Sequence, residues 1–403
     1  MNVRHRSTRI IGLAALAVLL GACGWGTAPF GPPPATPGTP VAPAAPTAAG
    51  NPTSGGVSSD GTVSANRITT LGRRAGFNPG SGILWMDDAE RQLEMDAMVA
   101  TGARWIALDF DWNSIQGDGP DSFRWDRSTD TVVREAHERG LRIIGTLAYS
   151  PPWARRAACA NTSHCFPTDP GAMARFARAA VERYGPTSPI PELHNSVRVW
   201  QVWNEANHYP FVQPTVDVAG YAVMLQQTYA AIKPLDPNSV VLAGATAPAG
   251  DDPNGQDMAP VTFLRNLYDL GAGRSFDAFA HHPYTFPESP LTVAPWSAFQ
   301  QTRALHDVMV QHGDANKKVW GTEAGAGTGT DTKAVAPLRQ AQLLRDYYTG
   351  WNRDFRSFTG PLLWFSVRDS GTDPSSVYGN FGILRHDFRA KPARNVLVTL
   401  LRG

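Results

Sequence analysis

Short apolar runs alternate with longer amphipathic stretches from residue 67 to the C-terminus. A short apolar run predicts a buried strand, whereas apolar residues three or four positions apart predict a helix. The predicted strands are Arg74–Phe77, Arg104–Asp109, Arg142–Ala148, Val197–Trp203, Val240–Gly244, Phe276–Ala280, Lys318–Thr322 and Leu362–Ser366. The predicted helices are Asp87–Ala100, Thr129–Arg139, Pro170–Arg183, Val216–Ile232, Pro260–Leu270, Ala298–Gln311, Ala336–Arg353 and Pro392–Leu401. Eight strand–helix units favour an α/β fold of the (β/α)8 TIM barrel type, with an open doubly wound sheet as the alternative.

The N-terminal segment has a different pattern. Three arginines precede the apolar run Ile10–Leu20, which is too short to span a bilayer comfortably. This order is typical of an export signal. The run ends in Leu20-Gly21-Ala22-Cys23, which resembles the lipobox of bacterial lipoproteins. The resemblance implies a signal peptide over 1–22 and lipidation of Cys23, whereas an ordinary signal peptide with an incidental cysteine is the alternative.

Residues 23–66 are rich in Pro, Ala, Gly, Ser and Thr. Such a segment buries too little apolar surface to offset its ordering entropy, so we expect a disordered tether. Residues 67–403 then form the barrel domain. We expect the protein to be exported and lipid-anchored at the outer face of the cytoplasmic membrane or in the cell envelope.

Composition narrows the possible partners. The formal net charge is +1 and no basic block is present, which argues against nucleic-acid binding. Removal of 1–22 leaves 33 basic against 35 acidic side chains, so the lipid alone would hold the protein at a membrane. Because export leads to an oxidising compartment, we expect a disulfide between Cys159 and Cys165, with two free thiols as the alternative. Only His164 lies near them, which argues against a zinc cluster.

Two predicted strands end in a glutamate. Glu205 follows the fourth strand within Trp203-Asn204-Glu205, and Glu323 follows the seventh within Gly321-Thr322-Glu323. The carboxyl ends of barrel strands meet at one face, where active sites lie. A pair of carboxyl groups is what cleavage of a glycosidic bond requires.

Several motifs carry a family resemblance. They are Asp109-Phe110-Asp111-Trp112, Tyr149-Ser150-Pro151-Pro152-Trp153, Asn204-Glu205, His282-Pro283-Tyr284, Glu323 and Phe381-Gly382-Ile383-Leu384. Together they resemble clan A of the retaining glycoside hydrolases, and family 39, the β-xylosidase-like group, most of all. The resemblance implies that Glu205 is the acid/base and Glu323 the nucleophile. It also implies that Asn204 binds the 2-hydroxyl group of the sugar and that Tyr284 lies near the nucleophile.

The chain departs from the family pattern next to the acid/base. Ala206 replaces the usual proline, and Gln201 replaces a usual glutamate. The departures leave the catalytic roles intact but remove any basis for predicting xylosidase specificity. Regular strand pleating would also point Asn204 and Glu205 in opposite directions, so both can face a sugar only if the strand ends or bulges there.

Other side chains are candidates for substrate binding. Asp109 and Asp111 share a strand face and form a rival carboxyl pair, but one strand cannot easily flank a scissile bond. His281 and His282 lack further ligands nearby in the sequence, so no metal is predicted, and His282 is expected to form hydrogen bonds. The predicted substrate-binding residues are Asn204, Asp111, Trp112, Tyr149, Trp153, His282, Tyr284 and Trp364. Trp200 and Trp320 are predicted to be core residues.

We therefore expect a retaining β-glycoside hydrolase that acts on an oligo- or polysaccharide by double displacement, as a monomer and without a cofactor. Two alternatives use the same barrel: a carbohydrate-binding lipoprotein without catalysis, and a transglycosylase with a sugar acceptor in place of water.

Overall fold

Eight parallel strands form a closed barrel in sequence order. The structure is a computed structural model that describes residues 68–125 and 128–403. The strands are β1 (Ala75–Asn78), β2 (Trp105–Asp111), β3 (Arg142–Ala148), β4 (Val197–Val202), β5 (Val240–Thr246), β6 (Ala278–His281), β7 (Lys318–Ala324) and β8 (Thr359–Phe365). The TIM barrel prediction is confirmed, and the open sheet is excluded because β1 pairs with β8.

Helices surround the barrel. They are α1 (Asp88–Thr101), α2 (Trp112–Ile115), α3 (Thr129–Glu138), α4 (Pro170–Tyr184), α5 (Val218–Ile232), α6 (Pro260–Asp269), α7 (Ala298–Gln311), α8 (Pro337–Asp354) and α9 (Pro392–Arg402). Their ends follow local chemistry. Asp87 caps α1 by accepting from the Glu90 amide at 2.8 Å, and α1 ends at Gly102 in the left-handed region.

Two strands extend further than predicted at the carboxyl end of the barrel, and this affects the site. β2 continues to Asp111 and β7 continues to Ala324, so Asp111 and Glu323 belong to strands. Pairing of Asp111 with Ala148 and of Ala324 with Trp364 extends these strands past their predicted ends. At the other end of the barrel, β8 begins at Thr359, before its predicted start.

The barrel has two layers of buried side chains. Trp105 and Trp320 meet edge to face at 5.2 Å inside the barrel, among small and aliphatic residues. Trp200 lies in the larger cluster between strands and helices, 5.3 Å from Phe110. Both Trp200 and Trp320 are core residues, as predicted, and they leave the carboxyl end of the barrel to polar side chains.

The predicted disulfide between Cys159 and Cys165 is present in the segment between β3 and α4. Cys23, the signal segment 1–22 and the tether 23–66 lie outside the described residues. Within the part that is described, we find no helix with the length and apolar character needed to cross a bilayer.

Candidate active site

Glu205 and Glu323 meet at the carboxyl end of the barrel. One carboxylate oxygen from each, together with one ring nitrogen of His282, lie within 4.8 Å of one another. Glu205 is 1% exposed, whereas the Glu323 side chain is 13% exposed. Two strands that are distant in sequence therefore place two carboxyl groups on either side of a buried imidazole.

The backbone after β4 explains how Glu205 reaches the site. β4 ends at Val202, and both Trp203 (φ 66°) and Glu205 (φ 48°) adopt the left-handed region. This region is costly for non-glycine residues and is concentrated at functional sites. The Glu205 amide donates to the Ala245 carbonyl at 3.0 Å, which holds the turn against β5. Because the pleat is broken here, Asn204 and Glu205 both face the barrel mouth.

The two oxygens of Glu205 have different surroundings. His282 Nδ1 donates to Oε1 at 2.8 Å. Oε2 is buried, and no hydrogen-bond partner for it lies among residues 68–125 and 128–403. A carboxyl group with one oriented oxygen and one free oxygen can present a proton in a fixed direction.

Both oxygens of Glu323 accept hydrogen bonds. Asn78 Nδ2, at the end of β1, donates to Oε1 at 3.0 Å, and the Tyr284 hydroxyl donates to Oε2 at 2.8 Å. His282 Nδ1 lies 3.7 Å from Oε2. These donors favour the ionised carboxylate in one orientation, which suits a nucleophile.

Burial and charge act against each other in this cluster. Burial raises the pKa of Glu323, and the nearby Glu205 adds to the rise, while His282 and the Tyr284 hydrogen bond oppose it. Burial lowers the pKa of His282, but the two glutamates outweigh burial, so the pKa lies above its usual value. His282 therefore holds its proton more tightly than an ordinary imidazole, and its charge, when present, offsets part of the repulsion between the carboxyl groups.

Asn204, Tyr149 and Asp109 complete the wall of the site on the β2–β4 side. Asn204 and the Tyr149 hydroxyl share a hydrogen bond, and the charges of Asp109 and Glu205 act on that hydroxyl. Tyr149 packs on His164 at 4.3 Å between ring centroids. Burial, Asp111 and Glu323 raise the pKa of Asp109 to about 7. Asn204, Tyr149, His282 and Tyr284 thus all lie beside the glutamates, where the sequence predicted them.

The side chain of Asp111 stabilises the start of α2. Its carboxylate caps α2 by accepting from the Asn113 amide at 3.1 Å and from the Ser114 hydroxyl. It is half-buried, so it is still able to contact a ligand at the rim. Asp109 and Asp111 project from one strand, and neither flanks a second carboxyl group as Glu205 and Glu323 do.

The aromatic predictions need two corrections. Trp112 and Trp364 are 0% exposed, so neither indole is a sugar platform. Trp112 stacks on Phe176 of α4 at 5.6 Å, and Trp364 packs against Tyr347 of α8 at 6.0 Å. Both side chains point towards the helices, where burial of a large ring stabilises the fold. Trp153 is half-buried and donates to the Gln116 carbonyl at 2.7 Å, so it remains near the rim.

Two residues of the site, Phe365 and Asn78, were not predicted from the sequence. Phe365 pairs with Asn78 across β1 and β8, so it shares the face that carries the Glu323 contact, and it is half-buried. Successive residues of a strand face opposite sides, so the prediction of Trp364 as a site residue was wrong by one position along β8. Asn78 lies one position beyond the predicted end of its strand. Inspection of the residue after each predicted strand would have found it.

The three residues Glu205, His282 and Glu323 have the donor atoms of a possible metal site. Their present contacts are those of a hydrogen-bonded acid–base group, because His282, Asn78 and Tyr284 donate to the carboxylate oxygens at 2.8 to 3.0 Å. The expectation of a metal-free site remains a prediction.

Solved structures of glycoside hydrolases are similar to this chain in fold. A family 39 glycoside hydrolase from Bacteroides cellulosilyticus WH2 matches with a TM-score of 0.64 at 19% identity, over 83% of this chain and 65% of that one. A monomeric beta-xylosidase from Caulobacter crescentus CB15 matches with a TM-score of 0.62 at 19% identity, over 84% and 70%. A GH5_18 protein from Bifidobacterium longum subsp. infantis matches with a TM-score of 0.58 at 15% identity, over 82% and 79%.

No family model matches the sequence, and no curated protein matches it. The chain spans slightly less than two thirds of the Bacteroides structure. At these identities the matches establish a shared fold. The barrel described above is thus of the kind found in glycoside hydrolases of families 39 and 5.

Proposed function

We propose that the protein is a retaining β-glycoside hydrolase in which Glu205 is the acid/base and Glu323 the nucleophile. The observation that carries the proposal is that one carboxylate oxygen of Glu205 lies within 4.8 Å of one carboxylate oxygen of Glu323, with different partners on each group. Retaining enzymes hold their carboxyl groups about 5–5.5 Å apart, whereas inverting enzymes hold them about 6.5–9.5 Å apart to admit a water. Oxygens this close leave little room for a water between the two groups, which supports retention.

In the first step Glu323 attacks the anomeric carbon while Glu205 gives its proton to the leaving oxygen. The carbon–oxygen bond to the leaving group breaks, and a covalent glycosyl ester forms on Glu323. The free Oε2 of Glu205 is the oxygen suited to carry the transferred proton. Tyr284 and Asn78 keep the Glu323 carboxylate directed at the sugar.

In the second step Glu205 takes a proton from water, and the water oxygen attacks the anomeric carbon. The ester bond to Glu323 breaks, and both carboxyl groups return to their starting states. Asn204, held by Tyr149, is placed to bind a sugar hydroxyl beside the reacting carbon. No step needs a cofactor, and a monomer contains every group.

A trapping experiment tests the mechanism. The protein is incubated with 2,4-dinitrophenyl 2-deoxy-2-fluoro-β-glycosides of xylose and glucose, which form the covalent intermediate but release it slowly. Intact-mass measurement should show one fluorosugar per chain, and peptide mapping should place it on Glu323. Proton NMR of early product from an ordinary aryl β-glycoside should show the β-anomer.

Three outcomes would contradict the proposal. Early α-anomer would indicate inversion, and a label on Asp109 or Asp111 would move the nucleophile. Oligosaccharide binding without label or turnover would favour a binding lipoprotein. Product analysis with added sugar acceptors separates hydrolysis from transglycosylation.

We also propose that the protein is exported and lipid-anchored through Cys23. The arginine-rich start, the short apolar run and Leu20-Gly21-Ala22-Cys23 support this. Cys23→Ala should move the protein from the membrane to the soluble fraction of the envelope, whereas Cys159→Ala should not. Equal membrane association of Cys23→Ala and the parent protein would overturn the anchor.

A further inference from the structure

A cavity of about 210 Å³ lies between the segment after β1 and the segment after β2. Its lining includes Trp85, Asp111, Asn113, Asp118 and Arg124. An apolar cavity of about 150 Å³ holds a benzene molecule. The volume is therefore sufficient for one six-membered ring.

Trp85 is the unusual member of this lining. It is 55% exposed, although tryptophan is among the side chains that gain most from burial. Trp105, Trp112, Trp200 and Trp364, by contrast, are all buried in the barrel or beneath the helices. An exposed indole at the edge of a polar cavity combines an apolar face with hydrogen-bonding neighbours. Sugar rings present the matching surfaces, since they have apolar faces and polar edges.

Strand β2 connects the cavity to the proposed catalytic site. Asp111 lines the cavity and lies two positions beyond Asp109 on this strand, about 6.6 Å along it. Asp109 in turn is close enough to Glu323 for their charges to interact. The cavity and the proposed catalytic site thus both lie at the carboxyl end of β2.

The charges of the lining favour a neutral sugar. Arg124 pairs with Asp118, and the charge of Arg155 acts on Asp111. Asn113 accepts from Arg155 at 2.7 Å through Oδ1, so its side-chain nitrogen Nδ2 remains available as a donor. Because Arg124 is the one cation among the described residues of the lining and is already paired, a uronic acid would find no free counter-charge among them, whereas a neutral ring would meet hydroxyl-binding groups.

We propose that this cavity is a second sugar subsite, in which a neutral pyranose ring stacks on Trp85 while the adjoining ring occupies the catalytic site. The inference rests on the proposed glycosidase function and specifies its substrate class. The substrate is an oligo- or polysaccharide of neutral sugars, and hydrolysis gains from at least two contiguous rings.

The test compares Trp85→Ala with Leu338→Ala, which removes a side chain that is 75% exposed on α8. Substrates are 4-nitrophenyl β-xyloside and β-glucoside, together with xylo- and cello-oligosaccharides of two to five rings. Trp85→Ala should lower the ratio of kcat/KM for the oligosaccharide to that for the monoglycoside about tenfold. Trp85→Phe should recover part of the ratio, and Leu338→Ala should leave it unchanged.

The outcomes separate this inference from the proposed function. An unchanged ratio in Trp85→Ala overturns the subsite and leaves the hydrolase intact. If no glycoside is turned over, the proposed function fails, and calorimetric binding of the same oligosaccharides decides the subsite. Binding that Trp85→Ala weakens supports it, and absence of binding overturns it. Tighter binding of oligogalacturonides than of neutral oligosaccharides would overturn the assignment to neutral sugars.

Discussion

The two glutamates proposed to be catalytic lie on the same face of one barrel but have different surroundings. Glu205 lies in a turn with left-handed backbone and has one hydrogen-bonded oxygen and one oxygen without a partner among the described residues. Glu323 belongs to β7, at a point where the register against β8 shifts, and donors contact both of its oxygens. A group that must gain and lose a proton needs a free oxygen, whereas a group that must attack as an anion needs donors. The asymmetry supports the proposed roles independently of any resemblance.

His282 connects the two halves of the pair. Its Nδ1 lies 2.8 Å from Glu205 and 3.7 Å from Glu323. The proton on this nitrogen is directed at Glu205, while its charge acts on both carboxyl groups. His282 is therefore shared by the two glutamates. Substitutions at Glu205, at Glu323 and at His282 should separate the role of each carboxyl group from the effect of the shared charge.

The largest expected effect comes from the glutamates themselves. Glu323→Gln should lower kcat/KM at least about 10³-fold for every leaving group, because no nucleophile remains. Glu205→Gln should lower kcat/KM about 10²–10⁴-fold for alkoxide leaving groups. For 2,4-dinitrophenyl glycosides it should lower kcat/KM little, since that leaving group needs no proton.

Steady-state kinetics on matched 2,4-dinitrophenyl and methyl glycosides measures this difference. Circular dichroism of both variants controls for folding. If kcat/KM depended on the leaving group in the same way in both variants, the proposed division of roles between Glu205 and Glu323 would be wrong.

The next effect concerns the donors to Glu323. Tyr284→Phe removes a hydrogen bond to a charged carboxylate, a contact worth about 1.5–3 kcal/mol, so kcat/KM should fall about 10- to 100-fold. Tyr229→Phe is the matched control, because its hydroxyl contacts Asp277 on the outside of the barrel at 3.2 Å. Equal losses in the two variants would show a general effect on the fold.

The barrel and the meeting of Glu205 and Glu323 at its carboxyl end could be predicted from the sequence because their signals are local. Strands such as β3 and helices such as α7 have the predicted bounds, and each glutamate follows an apolar run. The orientation of side chains depends on more distant contacts. Trp364 faces the helices and Phe365 the mouth because of the register between β1 and β8.

The contacts of Glu323 illustrate the same limit. Asn78 and Glu323 are 245 positions apart, and only closure of the barrel between β1 and β8 brings them together. Trp85 likewise could not be predicted as a sugar-binding residue from the sequence, because only the fold shows the cavity that it lines. The local pattern of the sequence predicts strands and helices. Which side chains meet at the site is decided by the pairing of strands that are distant in the sequence.

A smaller effect should follow from removing the shared charge. His282 lowers the pKa of Glu323, so His282→Gln should raise it. Attack requires ionised Glu323, and activity is lost as the pH falls through that pKa. The acidic limb of the kcat/KM profile should therefore move to higher pH. His281→Gln is the control, since this buried neighbour contacts Thr246 and Ala298 and neither carboxylate. An acidic limb that stays in place would exclude electrostatic coupling through His282.

The smallest effect concerns stability and the carboxyl group of Asp109, which interacts with Glu323 from the β2–β4 side of the site. Burial raises the pKa of Asp109 to about 7, so the folded state holds this proton more tightly than the unfolded chain. The stabilisation from that proton is complete below about pH 4 and is lost as the pH rises through about 7. The melting temperature of Asp109→Asn, relative to the parent, should accordingly rise between pH 4 and pH 8. Asp387→Asn should show no trend over this range, because contacts with Arg389 lower the pKa of that exposed carboxyl group, which is therefore ionised in both the folded and the unfolded chain above about pH 4. Parallel melting profiles for Asp109→Asn and the parent would mean that ionisation of Asp109 costs the folded state nothing.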